Sequence, residues 1–274
     1  MKRTGLLCLF AVLSVTIHAQ LINIESQRMQ TDSIRFGLIG DMTFNYSDTD
    51  GEYIFQFNTN VTTQVKTKDY KNIFFLVANY NLIRSKDQDF QNSWLLHFRY
   101  NYKLSEVLRL EAFAQTQDNE LLSINSRNLL GAGLRFKLGR DKSVFKAYFG
   151  NSYMYAKEES YLVNEINYSH RNNSYLSMNI NIKFPKTKNA PETNLHLTNT
   201  VYFQPLYTDI SDFRVFEQFK AGMPIFGNLN ITALYTYYFN NLTPAGGTEY
   251  SSLISLGFSY EFEPKPKKIY GPKI

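Results

Sequence analysis

Cysteine is nearly missing from this chain of 274 residues, and the one present, Cys8, sits within the first apolar run. The rest of the chain can form no disulfide and has no thiol chemistry. Placed inside the apolar run rather than after it, Cys8 does not suit the anchored cysteine of a lipoprotein. Histidine is scarce as well, with His18, His97, His170 and His196 scattered along the sequence. That scatter gives no metal-ligand spacing. No catalytic or cofactor-binding motif is present, and no cofactor is expected. After Leu6–Val15 there is no long hydrophobic run, which excludes a helical membrane span. The basic excess is small, at +5 for the whole chain. A nucleic-acid partner wants a concentrated basic patch, so that class is set aside.

What is present begins with Met1, Lys2 and Arg3, the apolar run, and then Thr16, Ile17, His18, Ala19 and Gln20. A positive start, a short apolar stretch and a small residue describe a secretory signal peptide. Residues 1–19 are expected to be removed by cleavage after Ala19, leaving a net charge of +3 once Lys2 and Arg3 are gone. Residues 20–32 are expected to form a short periplasmic segment, and the basic stretch 263–274 a periplasmic tail.

Between these ends the sequence alternates. Trp94, Leu96, Phe98, Tyr100 and Tyr102 share one parity, while Leu95, His97, Arg99, Asn101 and Lys103 share the other. Phe55, Phe57, Val61 and Val65 oppose Gln56, Asn58, Asn60 and Gln64 in the same way. Further on, Leu176 to Phe184 and Ile254 to Phe262 repeat the pattern. A period of two is the signature of strands. Twelve such segments are predicted, at 33–46, 52–65, 71–83, 91–103, 107–117, 124–137, 143–156, 171–184, 193–204, 213–222, 229–240 and 249–262. The third is ambiguous, because Ile73 to Val77 is continuously apolar. The tenth is weak, because Glu217 falls on its apolar face, and a bulge would re-phase it.

Strands of a soluble sandwich are usually about five or six residues long. Segments of ten or more, with Asn, Gln, Arg and Lys on the polar face, suit strands that cross a bilayer around a polar lumen. The aromatic content, 20 Tyr and 22 Phe, suits interfacial girdles, for which Tyr102, Tyr155, Tyr202, Tyr237 and Tyr260 are candidates. The fold class is therefore all-β, a transmembrane antiparallel β-barrel of about twelve strands spanning 33–262. The expected location is the outer membrane of a Gram-negative bacterium.

An even strand number returns both ends of the barrel to one side, normally the periplasm. The odd-numbered connections, expected outside, then sum to −10, and the even-numbered ones to +5. Outer-membrane lipid, lipopolysaccharide and the barrel-assembly machinery are the expected partners, with small anionic solutes a further class.

The stretch from Leu95 to Leu138 reads LLHFRYNYKLSEVLRLEAFAQTQDNELLSINSRNLLGAGLRFKL. AYFGNSYMYAKEE follows from Ala147 and YFQPLYTDISDF from Tyr202. Together these resemble domain-of-unknown-function family 481, labelled salt-induced outer membrane proteins. The resemblance covers about Asn23 to Phe262. It implies fold and location, and offers no catalytic residue to carry over. The closing run Leu256 to Phe262 is similar to the assembly signal of barrel proteins.

Parity turns His97, Arg99, Arg109, Glu111, Arg127, Arg135 and Lys146 inward on neighbouring strands. This gives a largely cationic wall with Glu111 as its main counter-charge. Rings of Arg and Lys favour anions, so one reading is a narrow channel or solute site. A second is a hydrogen-bonded plug that fixes the barrel's shape, leaving a purely structural envelope protein. A third is a barrel enzyme acting on lipid or lipopolysaccharide. His97 and His196 point inward far apart and His170 lies at the end of an external loop. None of the three stands in a short motif with a serine. A non-enzymatic role leads. Asp48, Asp50 and Glu52 carry a fragment of calcium-loop spacing, but Asp-Gly between alternating strands reads foremost as a hairpin turn.

Overall fold

Rows of β-branched and aromatic residues at every second position form a sheet only if both faces find a suitable medium. Closing the sheet on itself provides one medium inside and another outside. The computed structural model describes residues 35–49, 52–85, 91–122, 124–139, 144–162, 166–185, 192–242 and 249–262. The expected signal peptide, the 20–32 segment and the 263–274 tail lie outside the described residues.

The strands are β1 (Phe36–Thr49), β2 (Glu52–Lys66), β3 (Asn72–Ser85), β4 (Gln91–Lys103), β5 (Leu108–Asn119), β6 (Ile124–Leu138), β7 (Phe145–Ser160), β8 (Ile166–Phe184), β9 (Thr193–Pro205), β10 (Phe213–Phe226), β11 (Leu229–Asn240) and β12 (Tyr250–Phe262). Each pairs antiparallel with its sequence neighbours. The pairing of β1 with β12, from Leu38↔Phe262 to Thr43↔Gly257, closes the barrel and brings both ends of the barrel sequence to one rim. That closure leaves no unpaired edge. Among the described residues one 3-10 turn, Glu120–Leu122, stands at the opposite, far rim between β5 and β6.

The outer face is apolar and unpartnered. Leu130, Ile254 and Leu256 are 58%, 71% and 63% exposed, and every strand contributes similar residues to the belt. A continuous apolar surface of this extent has its natural solvent in hydrocarbon rather than water. The inner face differs from a simple polar lumen. Asn, Gln, Ser and Thr line much of it, but Ile73, Phe75 and Val77 of β3 are buried there while Phe74 and Leu76 face out. This resolves the ambiguous third strand: it is apolar on both faces because part of the barrel interior is apolar.

Three expectations are corrected. Glu217 is not re-phased by a bulge. β10 keeps regular register with β9 through it, and the irregularity lies between Pro224 and Phe226. Glu217 stays on the outer face, where its Oε1 accepts from Asn199 Nδ2 at 3.1 Å. Tyr202 belongs to no girdle; it points inward and is buried. His170 lies within β8 rather than at a loop end, because that strand begins at Ile166.

Two glycines make room inside. Phe113 opposes Gly131, and Tyr175 opposes Gly150, in adjacent strands. A Cβ on Gly131 would sit 2.2 Å from the Phe113 ring, and one on Gly150 2.1 Å from the Tyr175 ring. Each ring thus occupies the space that a side chain on the neighbouring strand would need. Gly150→Val is expected to lift Tyr175 and destabilise the barrel by about 1–3 kcal/mol, the usual range for overpacking. The temperature at which the barrel loses its folded mobility in gels would measure this.

Candidate functional site

The interior is built in layers, each set by the inward parity of its strands. Nearest the rim that carries Phe36 and Phe262, Arg109 faces Lys103 and Arg135 across the ladders, and Lys146 faces Asn179. Arg109 and Lys146 are half-buried.

Above them Glu111 of β5 is shared. Arg99 Nη1 lies 3.4 Å from its Oε2 and Arg135 Nη1 3.8 Å from its Oε1. Tyr175 donates its hydroxyl to Oε2 at 2.8 Å. The Arg135 guanidinium stacks 4.0 Å above the Tyr148 ring, and Arg99 lies over Phe113 and Tyr175. His97 Nδ1 is 2.9 Å from Gln115 Oε1, and its ring stacks on Phe113. The histidine is thereby held as a structural member of the wall.

A cross-barrel ion pair joins Lys220 of β10 to Asp41 of β1, Nζ to Oδ1 at 2.9 Å. Asn60 donates to the other Asp41 oxygen at 3.3 Å.

An apolar plug follows: Ile83, Leu122, Ile124, Tyr175, Tyr202, Phe216 and Tyr238 form one buried cluster. Its members come from β3, the 3-10 turn, β6, β8, β9, β10 and β11, so it crosses the barrel from wall to wall.

At the far rim three arginines among the described residues point inward. Arg127 Nε lies 3.0 Å from Glu158 Oε2. Arg214 grips the same carboxylate with both Nη atoms, at 3.2 and 3.3 Å. Arg171 donates to the Asp212 carboxylate at 2.8 Å and to the backbone oxygens of Gln204 and Asp212. A charge taken out of water is costly unless paired, and these pairings are how the arginines are tolerated.

The seven charged candidates read from the sequence, His97, Arg99, Arg109, Glu111, Arg127, Arg135 and Lys146, all occupy inward register positions. They do not form one wall. Arg99, Arg135 and Glu111 come together, with His97 against Phe113, whereas Arg127 belongs to the far-rim cluster. Glu111 is not the main counter-charge: Glu158, Asp212 and Asp41 share that role. Arg171, Arg214 and Lys220 were also missed. A seventh strand ending at 156 leaves Glu158 in an external connection, but β7 runs to Ser160 and Glu158 shares the even, inward parity of Ser152 and Met154.

The remaining candidates do not assemble a site. Asp48 and Glu52 lie at the ends of β1 and β2, where Thr49↔Glu52 closes a hairpin, and Asp50 lies outside the described residues. Among the described residues no group of His, Cys, Asp and Glu could hold a metal ion. His196 faces inward opposite Asn181 and Gly222, far around the barrel from His97. His170 faces outward within an aromatic patch, against Tyr153 and Tyr155; the Tyr153 hydroxyl meets its Nδ1.

Two groups outside the strands are tuned. Tyr161 is pushed up to about 12, first by burial and then by donating to Asp118 at 3.0 Å. The Asp209 carboxyl is held below the usual range by the Ser211 hydroxyl, at 2.6 Å, and by the Ser211 N–H, at 3.0 Å. A depressed carboxyl stabilises the fold above its unfolded value near pH 4, and that stability is lost as pH falls through the folded value. The 206–212 connection is therefore expected to gain protease sensitivity only below about pH 4, and Asp209→Asn to bring that sensitivity to neutral pH.

The family model for a protein of unknown function, DUF481, matches residues 42–262, nearly the whole barrel. The chain belongs to the DUF481 family. Among solved structures, this DUF481 barrel is similar to the NanC porin, at 11% identity and TM-score 0.47, covering 81% of this chain and 98% of that one. It is similar to the translocator domain of the autotransporter NalP from Neisseria meningitidis, at 12% identity and TM-score 0.46, covering 86% and 92%. It is also similar to LpxR from Salmonella typhimurium, at 6% identity and TM-score 0.46, covering 82% and 99%. No curated protein matches it.

Proposed function

We propose that this chain is a non-enzymatic outer-membrane barrel whose interior is closed by its own side chains, with the arginine-rich far rim as a solute site. One observation carries the reading. Arg99, Arg127, Arg135 and Arg214, which a water-filled channel would leave wet, are buried to within 9% and engaged by Glu111 and Glu158. Thr62, Val77, Asn101, Ser177 and Thr200 around the same interior are 0% exposed. The closed antiparallel barrel and its apolar belt support a bilayer location, and export through an N-terminal signal would make that the outer membrane. Lipid and lipopolysaccharide are then what the belt meets, and the closing strand is what the barrel-assembly machinery would recognise.

Planar-bilayer recording tests this reading. Refolded protein, its folding confirmed by heat-modifiable mobility, is expected to show no steady conductance. Large, long-lived steps from the unmodified chain would defeat it.

A further inference from the structure

Among the described residues the far-rim cluster is unbalanced. Arg127, Arg171 and Arg214 bring three positive charges, and Glu158 and Asp212 bring two negative ones. Arg127 is fully buried, yet among the described residues none of its three guanidinium nitrogens makes a hydrogen bond. Its Nε meets Glu158 only as an ion-pair contact. Both Arg171 and Arg214 lie within electrostatic reach of it. A guanidinium edge with two free N–H groups matches the two oxygens of a carboxylate or phosphate. Leaving it unpaired in a dry interior is costly.

Exposure is graded across the cluster. The side chains of Arg127, Arg171 and Arg214 are 1%, 3% and 9% exposed, and those of Glu158 and Asp212 are 20% each. The carboxylates are the more exposed partners in each pair. Asp212 comes from a connection and not from a strand, so its carboxylate can swing away without breaking the ladder.

We propose that Arg127, Arg171 and Arg214 form a binding site for the carboxylate or phosphate group of a solute arriving from the far rim. In the structure described, the chain's own Glu158 and Asp212 fill that site as internal competitors. The solute's oxyanion takes the place of one of these carboxylates, and the arriving charge offsets the excess positive one. This inference rests on the closed-barrel reading and names the ligand class of its far rim.

Isothermal titration of the refolded barrel with inorganic phosphate, and separately with glucuronate, at constant chloride is the test. Saturable binding of at least one is expected. Glu158→Gln with Asp212→Asn, which keep shape and remove the competing charge, should tighten it about tenfold or more. Arg171→Gln should weaken it by a similar factor. Arg127→Lys, which keeps the charge and loses the fork, should weaken it too. If the double variant does not regain heat-modifiable mobility, Asp212→Asn alone is used, with tightening again expected. Phosphate alone binding would assign a free inorganic anion; glucuronate binding would assign an organic acid.

No binding by either the unmodified chain or the charge-removed variant would overturn the proposal. So would binding that is indifferent to Arg171→Gln and Arg127→Lys. Conductance separates the two readings. Steady channels together with the expected anion binding would leave the site standing and remove the closed barrel. A silent bilayer without anion binding would do the reverse.

Discussion

Glu158→Ala is expected to cost the barrel about 3 kcal/mol, the low end of the range for breaking a buried pair because this carboxylate is partly exposed. Two arginines lose their partner at once, since Arg127 and the bidentate Arg214 both rest on that one carboxylate. The change would appear as a lower midpoint in urea-driven unfolding in lipid vesicles. Arg214→Met in the Glu158→Ala background should recover part of the loss, because one orphaned charge has been removed. A double-mutant cycle over the two positions should therefore be strongly non-additive. Losses that simply add, or a Glu158→Ala change below about 0.5 kcal/mol, typical of surface sites, would mean that the far rim is solvated and that the ion pairs contribute nothing.

Phe216→Ala is expected to cost about 3–5 kcal/mol, as truncation of a packed aromatic in a core does. Phe216 sits on the inner face of β10 at 2% exposure, against the Tyr202 ring at 6.1 Å. Were it lining an open, wet lumen, its removal would cost little. The contrast is Phe258→Ala on the lipid face of β12, which loses hydrocarbon contact and leaves no internal cavity. Unfolding midpoints of the two variants in the same vesicles distinguish a packed interior from a wet one. Comparable small losses in both would favour the wet one.

The architecture was legible because outward rows such as Trp94 to Tyr102 repeat without interruption, and a period of two fixes both the strand and its faces. Its inward charges were legible for the same reason. The partners of those charges were not. Lys220 and Asp41 lie 179 positions apart, on strands that do not pair with each other, so no local spacing announces them. Glu158 was lost to a strand end read four residues short, and Asp212 to a connection whose fold no alternation records. The plug was hidden by the signal that revealed the barrel. Tyr202 looks like a lipid-facing aromatic until parity is followed along β9, and it lies on the inward side with Phe216 and Tyr238. Glu217 shows the limit in the other direction: a carboxylate on the outer face is read as a phase error, although Asn199 beside it provides a donor.

The filled interior is tested most directly by engineered cysteines. With Cys8 lost to the expected signal cleavage, the remaining chain offers a clean background. Thr200→Cys and Ser177→Cys replace small inward residues that are 0% exposed, and Asn228→Cys replaces a residue of the turn between β10 and β11. With the barrel folded in vesicles, a charged, water-soluble thiol reagent is expected to label Asn228→Cys quickly and to leave Thr200→Cys and Ser177→Cys unmodified until the barrel is unfolded. Rapid labelling of the two inward cysteines in the folded barrel would mean that water and solutes traverse the lumen, and would contradict the account.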